Sequence, residues 1–190
     1  VSFLENCVKE NYSADTISNL LEGELKIDNA LLQYVGMDFK IKEFFKKDHF
    51  KKIKLDDFKV FYEEGIELKI DEISKIIDIR QIQSGSKIYI IDGILNDYTI
   101  NFNGFNSKEN KVINQPKNFP SDFRGLTGCL SLINLKFKNL NLKSTNSTCE
   151  DSINFINSSG IVENIYIENA YSDALDVDFS ELEINNIYVH

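Results

Sequence analysis

Histidine is nearly absent from this 190-residue chain, with His49 and His190 the only two. Cysteine is almost as scarce: Cys7, Cys129 and Cys149 form an odd set without a C-x-x-C pair. A structural zinc ion needs four closely spaced Cys or His ligands, so this composition argues against one. Basic residues are outnumbered, Lys+Arg 21 against Asp+Glu 30, for a formal net charge of −9. Gripping a phosphate backbone requires clustered positive charge, so nucleic acid is not an expected partner. No apolar run approaches the ~20 residues that cross a bilayer, and the opening VSFLENCVKENYS lacks the basic-then-apolar pattern of an export signal. The expectation is a soluble chain without a transmembrane segment. Its compartment stays unknown, because an upstream signal removed from an exported or cell-surface protein would leave no trace here. A Gly-rich phosphate loop and a G-x-S-x-G nucleophile elbow are also missing.

What is present is enough to build a core. At 42% hydrophobic residues, the chain is expected to hold one elongated domain or two small ones. Residues 1–65 differ in pattern from 66–190. In SADTISNLLEGELKIDNALLQYVG, the capping residues Ser13 and Asp15 precede Ile17, Leu20 and Leu21 at helical spacing. The first region is therefore expected to be a mixed, partly helical N-terminal cap. Next, DFKIKEFFKKDHFKKIKLDDF interleaves Phe39, Phe44, Phe45 and Phe50 with lysines from Lys40 to Lys54. This pattern suits a solvated helix face with its aromatics in the core, or a docking surface for an acidic partner or anionic membrane. From residue 66 the period becomes strand-like, in GIELKIDEISKIIDI and SKIYIIDGILNDYTINFNGF. The stretch NSKENKVINQPKNFPSDFRGLTG holds the only prolines, Pro116 and Pro120. It is expected to be a protruding loop, the kind of segment that carries binding residues on a regular scaffold.

After Gly128 the chain repeats itself. Leu130, Ile153 and Leu175 head the runs LSLIN, INFIN and LDVDF at separations of 23 and 22 residues, and Leu132, Phe155 and Val177 follow at the same offsets. A second set, NLNL, NIYI and NIYV, places Leu140, Ile165 and Ile187 each behind an asparagine: Asn139, Asn164 and Asn186. A period in this range marks a solenoid, in which stacked coils share a core that no coil closes alone. Leu130, Leu132, Ile153, Phe155, Leu175, Val177 and Phe179 are expected to point inward, and Ser131, Asn154, Asp176 and Asp178 outward. Amides stacked at strand spacing hydrogen-bond along the stack, which accounts for an asparagine lane. Two readings of the cysteines follow: buried thiols of a reducing compartment, or a Cys129–Cys149 disulfide joining neighbouring coils of an exported chain.

Coils of about 22 residues with an asparagine lane resemble the right-handed parallel β-helix of the pectate-lyase-like superfamily. More narrowly, LTGCLSLINLKFKNLNLKSTNSTCEDSINFINSSG together with SDALDVDFS resembles the β-helical segments that accompany spore-coat-kinase-like domains in bacterial proteins. The resemblance covers roughly 85–190. It implies a mainly β fold, a right-handed parallel β-helix solenoid behind an N-terminal α+β cap. Leucine-rich repeats are the competing solenoid, but their L-x-x-L-x-L frame is not sustained.

The resemblance also directs attention to acids, since β-helical lyases and hydrolases carry catalytic carboxylates on outward positions. Glu150, Asp151, Asp173, Asp176 and Asp178 fall on or beside the first lane. Coils stack about 4.8 Å apart, so such carboxylates are candidates for catalysis, and Asp176 with Asp178 for calcium binding. Against this, the two arginines, Arg80 and Arg124, are off the lane, and the Asp-Asp and His-Gly pattern of the hydrolases is missing. Asp151 and Asp173 also recur at one place in the coil, as turn residues do. Cys149 beside Glu150 and Asp151 is no nucleophile, because adjacent negative charge raises a thiol pKa.

The leading expectation is thus a non-catalytic binding or scaffold module without a cofactor, holding a glycan or protein partner through its side loops and outward face. The alternative is a polysaccharide lyase or glycoside hydrolase using the acids, with calcium. The sequence stops at NNIYVH within a repeat, so further coils, or another chain in an oligomer, are expected to cover that end.

Overall fold

The computed structural model describes residues 50–105 and 127–190. The expected helix near Ser13, the Lys/Phe positions from Phe39 to Lys47 and nearly all of the loop around Pro116 and Pro120 lie outside them. The chain divides between Lys47 and Asp48, and the described residues all belong to the second unit.

Within the described residues there is no helix. Eleven strands form one curled sheet: β1 (Phe50–Lys54), β2 (Lys59–Glu63), β3 (Ile66–Asp71), β4 (Ile76–Gln81), β5 (Ile88–Asn96), β6 (Thr99–Asn103), β7 (Gly128–Thr145), β8 (Asp151–Ile156), β9 (Ser159–Glu168), β10 (Asp173–Asp178) and β11 (Glu181–Val189). The sheet winds into a β-solenoid of about four turns, as the repeat predicts.

Each coil has three strand segments. On the first face, β5, β7, β8 and β10 stack in parallel through Ile88, Leu130, Ile153 and Leu175. The third face stacks Thr99 on Asn141, Asn141 on Asn164, and Asn164 on Asn186. Between them a second face pairs Gly93–Asn96 with Leu135–Lys138.

Corners between faces require a left-handed backbone, which short polar side chains tolerate best among non-glycine residues. The first corner stacks Asp92, Asn134, Asn157 and Phe179 with φ of 53°, 52°, 46° and 49°. Asn134 Nδ2 donates to Asp92 Oδ1 at 3.4 Å and Asn157 Nδ2 to Asn134 Oδ1 at 2.7 Å, so the corner is also an amide ladder. Asp97 and Asn139 make the second corner, joined at 2.8 Å, and Asn146 and Asn169 the third, joined at 3.2 Å. Gly160, at φ 122°, lies where β9 passes the Phe137 carbonyl so closely that a Cβ would collide with it.

Two alignments need correction. Asn139 is a corner residue, and the in-register lane is Asn141, Asn164 and Asn186. The register is the same on both sides of a local irregularity at Leu140, which itself pairs with Val162, so Leu142, not Leu140, stacks on Ile165. Phe179, expected inside, is instead the exposed fourth member of the first corner.

The core follows the lanes. Val60, Ile90, Leu132 and Phe155 lie one upon another and are fully buried, as are Ile77, Ile100 and Ile165 across from them. The N-terminal end is built by adding strands to both faces. The β1–β2 hairpin sits antiparallel on β5; β4 runs parallel on β6, and β3 antiparallel on β4. Phe50–Lys54 and Lys59–Glu63, at the end of the region read as a mixed cap, are therefore strands. Their alternation explains it: Ile53 is half-buried between exposed Lys52 and Lys54.

Candidate functional site

The acids do not form a stack. Asp176 lies in register with Asn154 and Asp178 with Ile156; only Asp173 and Asp151 share a lane. Asp151 opens β8, is buried, and accepts a hydrogen bond from the Thr127 hydroxyl. Burial pushes its carboxyl above the usual range, the Thr127 hydrogen bond opposes that, and Glu150, Asp173 and Asp178 add to the rise. Asp176 is half-buried, accepting from the Val177 amide at 2.9 Å and from Asn154 Nδ2 at 3.4 Å. Burial raises it too, followed by the charges of Asp178 and Asp151. Asp176 and Asp178 share a side, as alternation predicts. Among the described residues no three His, Cys, Asp or Glu side chains form a group able to hold a metal ion. Arg80 sits on β4 with Glu67 3.6 Å away, and Arg124 lies outside the described residues.

The outward positions of the first face are buried in its middle coils and open towards its ends. Its outward lane runs through Phe61, Tyr89, Ser131 and Asn154, all buried, and the adjacent Ile133 and Ile156 are buried as well. Ser131 Oγ and Asn154 Oδ1 lack hydrogen-bond partners among the described residues. Alternation correctly orients these side chains away from the coil interior; it carries no information on what covers them.

Cys129 and Cys149 are bonded, with Cα atoms 5.3 Å apart, and both are buried. The bridge links the start of β7 to the residues that lead into β8, so it joins neighbouring coils. Gln81, buried at the end of β4, organises its surroundings. Its Nε2 donates to Ser86 O at 2.9 Å and approaches Cys129 Sγ at 3.3 Å, while its Oε1 accepts from the Phe105 amide at 2.9 Å and the Thr148 hydroxyl at 2.8 Å. No spacing in the sequence singled out Gln81, because its partners lie up to 68 residues away.

The third face is accessible on its outer side, and so is the second, where Ile94, Lys136 and Lys138 are exposed. The outward lanes of the third face carry Asp78, Asn101, Lys143, Tyr166 and Tyr188 in register, beside the Asn141, Asn164 and Asn186 ladder. Asn164 Nδ2 donates to Asn141 Oδ1 at 2.7 Å and Asn186 Nδ2 to Asn164 Oδ1 at 3.2 Å. Lys143 Nζ lies 5.4 Å from the Tyr166 ring centre, and the Tyr166 hydroxyl donates to Glu168 Oε2 at 3.2 Å. That carboxylate holds the phenol proton and raises the Tyr166 pKa. Sequence reasoning passed over these tyrosines although NIYI and NIYV display them 22 residues apart; attention went to the apolar residues on either side.

The fold defines the protein as a β-solenoid whose third face bears amides and tyrosines. Compared with protein-family models, curated proteins and solved structures, the chain matches none.

Proposed function

We propose that the chain is a non-catalytic binding or scaffold module whose third face receives a glycan or protein partner. One observation carries this reading: Lys143, Tyr166 and Tyr188 occupy outward positions on successive coils beside a ladder of asparagine amides. Side-chain amides and carboxylates match sugar hydroxyls, and tyrosine supplies a rigid apolar surface with a polar tip. The strand repeat of about 4.8 Å gives a regular comb for an extended partner. The Cys129–Cys149 bridge supports an exported or cell-surface location, since disulfides persist in oxidising compartments. A bacterial origin and kinship with pectate-lyase-like β-helices rest on the sequence resemblance.

A glycan array followed by calorimetry tests the reading. Tyr166→Ala/Tyr188→Ala is expected to weaken binding about ten-fold or more, near 1.4 kcal/mol, with the fold intact. Binding unchanged by that variant, with neither glycan nor protein held at this face, would overturn it.

The raised carboxyls of Asp151 and Asp176 favour a second reading, a polysaccharide lyase or glycoside hydrolase using Asp151, Asp173, Asp176 and Asp178 with calcium. A general acid must keep its proton near working pH, which burial promotes. Calcium titration and a cleavage screen of acidic polysaccharides decide it. Turnover that disappears in Asp176→Asn/Asp178→Asn would establish the enzyme and displace the binding module.

A further inference from the structure

Both ends of the first face are strand edges among the described residues, β1 at one end and β10 at the other. They carry opposite charge. The β1 strand is FKKIK, with Lys51, Lys52 and Lys54 exposed and no acid; the β10 strand is DALDVD, with three aspartates and no base. The two also run in the same direction. β1 is antiparallel to β2 and β2 to β5, while β5, β7, β8 and β10 are mutually parallel.

Register carries the match down to single residues. The lane of Lys52 passes through Phe61, Tyr89, Ser131 and Asn154 to Asp176, and that of Lys54 through Lys59, Ile91, Ile133 and Ile156 to Asp178. Between them, the inward lane of half-buried Ile53 ends at Val177, which is 42% exposed although its lane-mates Leu132 and Phe155 are fully buried.

We propose that the chain associates with itself head to tail, β1 of one copy pairing in parallel with β10 of the next. The pairing sets Lys52 over Asp176, Ile53 over Val177 and Lys54 over Asp178. The strand contributes main-chain hydrogen bonds, the lysines contribute charge complementarity, and the apolar lane runs on across the junction. Such a heterologous contact does not stop at two copies; it propagates into an open chain of solenoids. The inference stands independently of the proposed third-face ligand, since it uses the ends of the stack.

Sedimentation velocity of the full 190-residue chain, over a concentration series at low and high salt, tests it. Species beyond the dimer are expected to grow with concentration and to recede as salt screens the ends. D176K/D178K and K52E/K54E should each weaken association about ten-fold or more while keeping the wild-type circular dichroism spectrum. Mixing the two variants should restore it, because the reversed β10 of one then faces the reversed β1 of the other. If one variant does not fold, the other tests the same contact from the opposite edge. A chain that stays monomeric at every concentration, a dimer that grows no further, or association indifferent to the charge reversals would overturn the proposal.

Discussion

Phe155 and Val177 occupy the same inward lane in adjacent coils, yet the first is fully buried and the second 42% exposed. Ile165 and Ile187 repeat the contrast on the third face, at 0% and 49%. The residues are chemically alike and their backbones superpose in register, so the difference comes from the number of neighbouring coils. An inner coil is sandwiched; the coil of β10 and β11 has a described neighbour on one side. In a solenoid, burial is thus set by place in the stack as much as by residue type, and stability grows with each interface between coils.

The largest effect should come from cutting the same lane at the two places. Phe155→Ala is expected to lower unfolding free energy by about 3–5 kcal/mol, as large aromatic truncations in close-packed cores do. Val177→Ala should stay under about 1 kcal/mol, because little of its surface is removed from water. Equal losses in urea unfolding would mean that the final coil is covered as well as the inner ones. Second in size is the bridge between inner coils: Cys129→Ala/Cys149→Ala is expected to lose about 3 kcal/mol through the freedom regained by the unfolded chain, measured the same way.

Smaller, and opposite in sign, is the effect at the first corner. Phe179 holds φ 49° where its lane-mates are Asp92, Asn134 and Asn157. Phe179→Asn is expected to stabilise by about 1 kcal/mol, since asparagine tolerates the left-handed region and extends the amide ladder. An unchanged melting temperature would show that the last corner is not held to the geometry of the inner ones.

The smallest effect concerns Asp176. Its folded pKa, like that of Asp151, lies above the ordinary 3.8, so the folded chain binds more protons than the unfolded one between 3.8 and the raised values. The stability these groups contribute is present at low pH and lost as pH rises through that window. Asp176→Asn should therefore raise the melting temperature at neutral pH, with a smaller gain below pH 3.8. A gain independent of pH would place its origin elsewhere than in the charge.

The first lane was legible because it contains no irregularity: Leu130, Ile153 and Leu175 keep their offsets from end to end. The second was misaligned by two residues, because Leu140 and Leu142 are both apolar and spacing alone does not say which of them meets Ile165. Helical spacing in the Lys/Phe run also misled at its described end, as Phe50–Lys54 is a strand that pairs antiparallel with β2. For the candidate site, the side of the strand carrying Asp176 and Asp178 was readable from alternation. The separation of the acids onto different lanes required the register, and the role of Gln81 required contacts between residues far apart in the chain.

Strand periodicity, the 22–23-residue repeat and the asparagine corners are properties of short segments, since alternation and tolerance of left-handed backbone act over a few residues. They were open to reading from the residue order. Which outward residues are buried, how many described neighbours a coil has and which carboxyl is pushed up depend on atoms brought near by winding the chain. Burial and electrostatics are fixed by such neighbours in space, and two strand asparagines that both point away from the coil interior, Asn154 and Asn164, came to lie in opposite environments, one buried and one exposed.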